Sequence, residues 1–181
     1  MIRRKQHSKI KGLAAGAIGG LVASWIMGYV HAALGAPQQQ QKSGDDDAQR
    51  ARRQEQQQQA EGEDATVKTA VAIAEAVHRE IPPQKKKAAG SLVHYAFGTI
   101  VGGVYGMAAE EWRPVREGEG ALFGAALWLV SDEIAVPSLK LAKPPRDYPL
   151  KVHAGALASH VVYGVTTEMV RRGLRAGVLS R

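Results

Sequence analysis

Four apolar stretches, residues 12–34, 88–109, 120–137 and 150–170, carry ionisable side chains that hydrocarbon does not tolerate unpaired. At about 1.5 Å per residue, each is about long enough to cross a hydrocarbon layer roughly 30 Å thick. His31, His94, Glu110, Asp132, Glu133, His153, His160 and Glu168 lie inside these stretches or at their ends. An uncompensated charge at the centre of a span costs about 2.5–3.5 kcal/mol on insertion scales. A bundle that turns these groups toward protein or water avoids that cost. The expected fold is therefore all-α: a multi-pass membrane helix bundle of four glycine-rich spans.

The whole-chain mean hydropathy of −0.22 hides this pattern. Residues 35–64 are polar and glutamine-rich, with no apolar periodicity to support a core, and they read as a disordered linker that pulls the average down. Formal charge is +7, from 24 basic and 17 acidic residues. The basic groups flank the apolar stretches: Arg3, Arg4, Lys5, Lys9 and Lys11; Lys85, Lys86 and Lys87; Arg171, Arg172 and Arg175. Such flanks anchor helices to head groups, so residues 1–11 and 171–181 read as basic tails and the bilayer as the main partner. They do not interleave with aromatics on one surface, which argues against a nucleic-acid partner. With no cysteine, disulfides, thiolate metal sites and cysteine nucleophiles are excluded.

The first stretch also resembles a signal peptide, with Ala32, Ala33 and Ala36 as small residues for cleavage. Its apolar run is longer than the usual 7–15 or so residues of such a segment, and a retained span is the expectation. In residues 65–81, Val67, Ala70, Val71, Ala74, Val77 and Ile81 recur at helical spacing, giving an amphipathic surface helix ended by Pro82 and Pro83. Residues 111–119 form a short connector, so the second and third spans are antiparallel neighbours. Residues 138–149 contain Pro144, Pro145 and Pro149 and read as a non-helical loop. The distribution of basic residues leans weakly toward both termini in the cytoplasm.

Small residues recur every fourth position. Gly12, Gly16, Gly20, Ser24 and Gly28 form one ridge; Gly98, Gly102 and Gly106 form a second, bracketed by His94 and Glu110. Gly120 and Gly124 open the third span on the same interval as Asp132, and Gly164 lies between His160 and Glu168. Ridges of this kind let helix backbones approach closely where no hydrophobic force drives association. Ionisable groups that continue them face protein rather than lipid. Successive fourth residues drift by about 40° around a helix, so the two ends of one ridge need not face the same neighbour.

The candidate protonatable core is His94, Glu110, Asp132, Glu133, His153, His160 and Glu168. For the carboxylates three readings stand: hydration at the interface, pairing with a basic or imidazole partner, or proton transfer. His153 and His160 share a face two turns apart, and His94 and Asp132 could join them from neighbouring spans. Metal ligands more often pair at i and i+4, so no metal is expected. Phosphate-cradling loops and serine-nucleophile motifs are absent, and neither a cofactor nor a catalytic residue is expected.

The run His94 to Glu110, with Tyr105, Gly106, Met107, Ala108 and Ala109, then Gly120, Phe123, Gly124 and Ala125, then Pro137, and finally Ser159, His160 and Glu168 to Arg172, resembles the YagU family. The resemblance implies a bacterial inner-membrane protein without an assigned activity, associated by name with acid resistance. It does not extend to the glutamine-rich linker. Three functional readings follow: a non-enzymatic bundle that supports acid tolerance through its protonatable groups; a scaffold pairing through its small-residue ridges with a second copy or another membrane protein; and a metal-dependent membrane enzyme using Asp132, Glu133, His153 and His160.

Overall fold

A computed structural model describes residues 2–35 and 65–177, with side chains described for 8–30 and 65–177. The linker over 36–64 and the side chain of His31 lie outside the described residues. Helix α1 spans Ile2–Gly35, α2 spans Ala65–Ala76, and α3 spans Pro83–Glu111. A 3-10 segment, Arg113–Gly120, leads into α4, Ala121–Trp128, which continues as π-helix through Leu129–Ala135 and as a last turn, α5, through Val136–Ser138. Helix α6 spans Leu150–Ala176. Among the described residues there is no strand.

Several boundaries differ from those expected. Helix α2 stops at Ala76, short of Ile81, because His78 takes a left-handed φ of 54° and the Arg79 amide turns back onto the Ala74 carbonyl at 2.9 Å. The next helix starts at Pro83 rather than Ala88. The fixed φ of proline suits the first helical turn, where its missing N–H costs nothing. Lys85, Lys86 and Lys87 thus stand in α3 itself. Arg171, Arg172 and Arg175 belong to α6, not to a tail.

Three segments, Ser8–Val30, Pro83–Glu111 and Arg113–Ser138, are long and apolar enough to cross a membrane. Their outward side chains fit that surroundings: Ile10, Leu92, Ile100 and Leu122 are each exposed by more than half. A soluble protein rarely leaves so much contiguous apolar surface bare. This is a membrane protein. Helix α6 falls short of the same hydropathy because it carries Lys151, His153, His160, Glu168, Arg171 and Arg172, yet it buries Ser159, His160, Tyr163, Thr167, Glu168 and Arg171. Its polarity is directed inward.

The helices approach through their glycines. Helix α1 runs antiparallel to α3, and a Cβ on Gly16 would meet the Gly102 carbonyl and lie 2.7 Å from the Gly106 Cα; one on Gly102 would lie 2.7 Å from the Gly20 Cα. Gly12 faces Gly106 and Glu110, while Ser24 sits on Gly98. On the other flank of α1, a Cβ on Gly19 would come within 2.7 Å of the Thr167 carbonyl of α6. Helix α4 meets α6 in the same way, with Gly124 against the His160 carbonyl and Gly120 against the Gly164 carbonyl. Gly120 also has φ 88°, so two constraints select glycine there. Gly28, in contrast, has nothing within 4 Å of a Cβ. A small apolar core of Ala23, Met27 and Tyr163, with Phe123 and Leu127 against it, fills the middle.

Gly16→Val should separate α1 from α3 and cost at least the roughly 1–3 kcal/mol of overpacking a tight contact. Gly28→Ala should be neutral or slightly stabilising, since alanine favours a helix interior by about 0.5–1 kcal/mol over glycine. Thermal unfolding in detergent followed by circular dichroism compares the two.

Candidate functional site

The seven protonatable residues do not form one site. They divide between the two ends of the bundle. Glu110 and Glu168 lie where the start of α1, the end of α3 and the end of α6 meet. His94, Asp132, Glu133, His153 and His160 lie toward the other end, around a cavity.

At the first end Glu168 is fully buried and Arg171 is 4% exposed. The Arg171 guanidinium donates to both Glu168 oxygens, Nε at 2.7 Å and Nη2 at 2.8 Å. Arg172 Nε donates to the same carboxylate at 2.6 Å, and the Tyr105 hydroxyl at 2.9 Å. Glu110 accepts from Arg171 at 3.2 Å, from Arg175 at 2.8 and 2.9 Å, and from the Ser8 hydroxyl at 2.5 Å. Arg172 also pairs with Glu119, and Lys9 with Glu111 at 2.7 Å. Glu110, Glu111, Glu119 and Glu168 therefore each meet at least one cation. As basic residues that follow an apolar stretch, Arg171, Arg172 and Arg175 read as head-group anchors. The spacings Glu168–Arg171 and Glu168–Arg172, i to i+3 and i to i+4, are the signal that assigns two of them to Glu168 instead.

The cavity, about 610 Å³, opens between α1, α2, α3, the π-helical segment, the loop before α6 and α6 itself. Its size suits a small molecule. Much of its wall is apolar, with Met27, Phe97, Leu127 and Val130 among its members. Asp132 and Glu133 reach it from the π-helical turns of Leu129–Ala135. Proline has a physical part in that geometry. Pro137 has no N–H for the Glu133 carbonyl and its ring would press on it, a conflict that a wider turn relieves. The Val136 amide accordingly reaches back to the Ser131 carbonyl, and the Ser131 hydroxyl bonds the Leu127 carbonyl and Asp132 Oδ1, both at 2.8 Å.

His153 stands between two acceptors. Its Nδ1 lies 2.6 Å from Glu133 Oε1, and its Nε2 lies 3.0 Å from the Pro145 carbonyl. His160 has Nδ1 3.0 Å from the Ala156 carbonyl and 3.7 Å from Asp132 Oδ2. His94 reaches across to α1, with Nε2 3.2 Å from the Ser24 carbonyl. The Tyr163 hydroxyl, also at the wall, donates to the Gly98 carbonyl at 2.6 Å. Among the described residues no group of three or more histidine, aspartate or glutamate side chains is placed to hold a metal ion.

Residues 62–169, covering α2, α3, α4 and most of α6, match the family described as "Protein of unknown function (DUF1440)". The chain belongs to the DUF1440 family. His94, Asp132, Glu133, His153 and His160 at the cavity and Glu168 at the other end fall within the DUF1440 match, while α1 and Arg171, Arg172 and Arg175 fall outside it. No curated protein and no solved structure matches the chain.

Glu168→Ala leaves the Arg171 guanidinium buried without its main partner and should cost about 3–5 kcal/mol, the range for breaking a buried ion pair. Glu119→Ala removes only an exposed partner of Arg172 and should leave stability unchanged. Denaturant titration in micelles distinguishes the two variants.

Proposed function

We propose that the chain is a four-span, non-enzymatic protein of a bacterial inner membrane, of the YagU type, that supports acid tolerance by closing its cavity at low pH. The observation that carries this reading is the position of His153 between Glu133 and the Pro145 carbonyl. Both neighbours only accept hydrogen bonds, and a neutral imidazole has a single N–H. Only the imidazolium satisfies both. It then ties the loop before α6, which supplies Leu141, Ala142, Lys143, Pro145 and Tyr148 to the cavity wall, to the π-helical segment.

The sign follows from that count. Protonated His153 holds the loop down, and deprotonation as pH rises releases either Glu133 or the loop carbonyl. The other ionisable groups around His153 are Asp132 and Glu133 on the π-helical segment, Lys143, Arg146, Asp147 and Tyr148 on the loop, Lys151 and His160 on α6, and His94 on α3. Histidine is the group among these that changes charge between about pH 5 and 8 without perturbation. Glu110 and Glu168 are held by arginines, which do not titrate, and so serve as structural anchors. The inward polarity of α6 supports its assignment as the fourth span, because a helix that buries its polar face in protein still presents apolar side chains to lipid.

The absence of cysteine allows a direct test. Ala142→Cys places a single thiol on the loop at the cavity wall, and Lys140→Cys places one on its exposed part as the reference for thiolate reactivity. The ratio of their labelling rates by an impermeant maleimide should fall from about pH 8 to about pH 5. His153→Asn should abolish that change and lower survival of acid-challenged cells. A ratio independent of pH in the parent protein rejects the reading.

A further inference from the structure

The cavity wall has an unequal stock of hydrogen-bonding atoms. A backbone carbonyl only accepts, so the imidazole nitrogen facing it carries the proton. His160 thus donates from Nδ1 to the Ala156 carbonyl, which leaves Nε2 with a lone pair when the ring is neutral. His94 donates from Nε2 to the Ser24 carbonyl, leaving the Nδ1 lone pair. The Asp132 carboxylate only accepts; its nearest partners are the Ser131 hydroxyl at 2.8 Å, whose single proton the Leu127 carbonyl also faces, and His160 at 3.7 Å. Its side chain is 35% exposed. Several donors in the wall are already directed at backbone carbonyls: Ser131 at Leu127, Thr69 at Ala65 and Tyr163 at Gly98. Both ring nitrogens of His153 are turned to Glu133 and the Pro145 carbonyl, so it has no donor left for a ligand.

Lys143 is the sole lysine or arginine in the wall, and it belongs to an exposed part of the loop. What remains on the lining residues is a carboxylate and two imidazole lone pairs, beside a largely apolar wall.

We propose that this cavity binds a hydrophobic primary ammonium ion. The ammonium carries three donors and a positive charge, which match the surplus acceptors and Asp132. The ligand's apolar body occupies the space lined by Met27, Phe97, Leu127 and Val130. The proposal does not depend on the response of the loop to pH, since the acceptor stock comes from α3, α6 and the π-helical segment.

The test uses the full chain in lipid nanodiscs and calorimetric titration at about pH 8, the upper edge of the range in which an unperturbed imidazole changes charge. Three probes share one apolar body: 2-phenylethylamine, its N,N,N-trimethyl derivative and 2-phenylethanol. The amine should bind at least about tenfold more tightly than either of the others, the scale of a charge-assisted hydrogen bond. Asp132→Asn, which keeps shape and removes charge, should lower amine affinity by a similar factor and leave binding of the alcohol unchanged. His160→Gln provides a second variant, with an expected loss confined to the amine. Equal affinity for the three probes, or an amine affinity indifferent to both substitutions, overturns the proposal. Amine binding with a pH-independent loop would retain it while removing the acid-closure reading, so the two fail separately.

Discussion

The pairing of Glu168 with Arg171 is the interaction on which the rest depends. A carboxylate has about four lone-pair sites, and here two donors from Arg171, one from Arg172 and one from Tyr105 occupy them. Without such saturation a fully buried carboxylate would have to neutralise or leave the interior. Arg171 continues to Glu110, and Glu110 to Arg175 and Ser8, so one hydrogen-bonded chain joins α6 to α3 and α1. Buried ion pairs are often no more stabilising than apolar residues of the same volume. Their contribution here is positional, because a shift of one helix by a turn would leave a charge unmatched.

Glycine supplies the complementary constraint. In lipid, apolar side chains gain little by leaving one apolar medium for another, so helices associate through close packing and polar contacts. The Gly12, Gly16, Gly20 and Ser24 edge of α1 lies against the Gly98, Gly102 and Gly106 edge of α3 within one chain. The ion network then sets the register that the glycines alone would leave free, since a regular four-residue ladder fits nearly as well when displaced by four residues. The two devices meet physically at Gly12, whose neighbours are Gly106 and the Glu110 side chain.

Helix spacing and the small-residue intervals made the bundle legible in the sequence, because both are local periodicities. The end of α2 was not legible: a left-handed His78 follows no composition rule that separates it from Val77. The π-helical turns were equally hidden, although Pro137 four residues after Glu133 contains their cause. The division of the seven protonatable groups into two clusters depends on rotation around each helix and on contacts between residues far apart, such as Ser8 with Glu110, separated by 102 positions. Asp132 and Glu133, adjacent in sequence, even find different imidazoles. Arg171 was legible in part, since its spacing from Glu168 is local, but a basic residue after an apolar stretch has the same appearance as a head-group anchor.

The two ends of the bundle solve the problem of burying carboxylates with different partners, and the difference decides what each can do. Guanidinium stays charged across the physiological range and brings five donors, so Glu110 and Glu168 at the arginine end have their acceptor sites filled. Imidazole brings one donor when neutral and two when charged. A carboxylate beside it therefore gains or loses a matched partner as conditions change, and a lone pair appears whenever the ring is neutral. The same accounting that makes His153 a clasp for the loop makes His94 and His160 acceptors toward the cavity. A ligand rich in donors and a proton compete for the same lone pairs. Binding and acidity are then coupled at this end by the stock of hydrogen-bonding atoms itself, while the arginine end holds the helices in register.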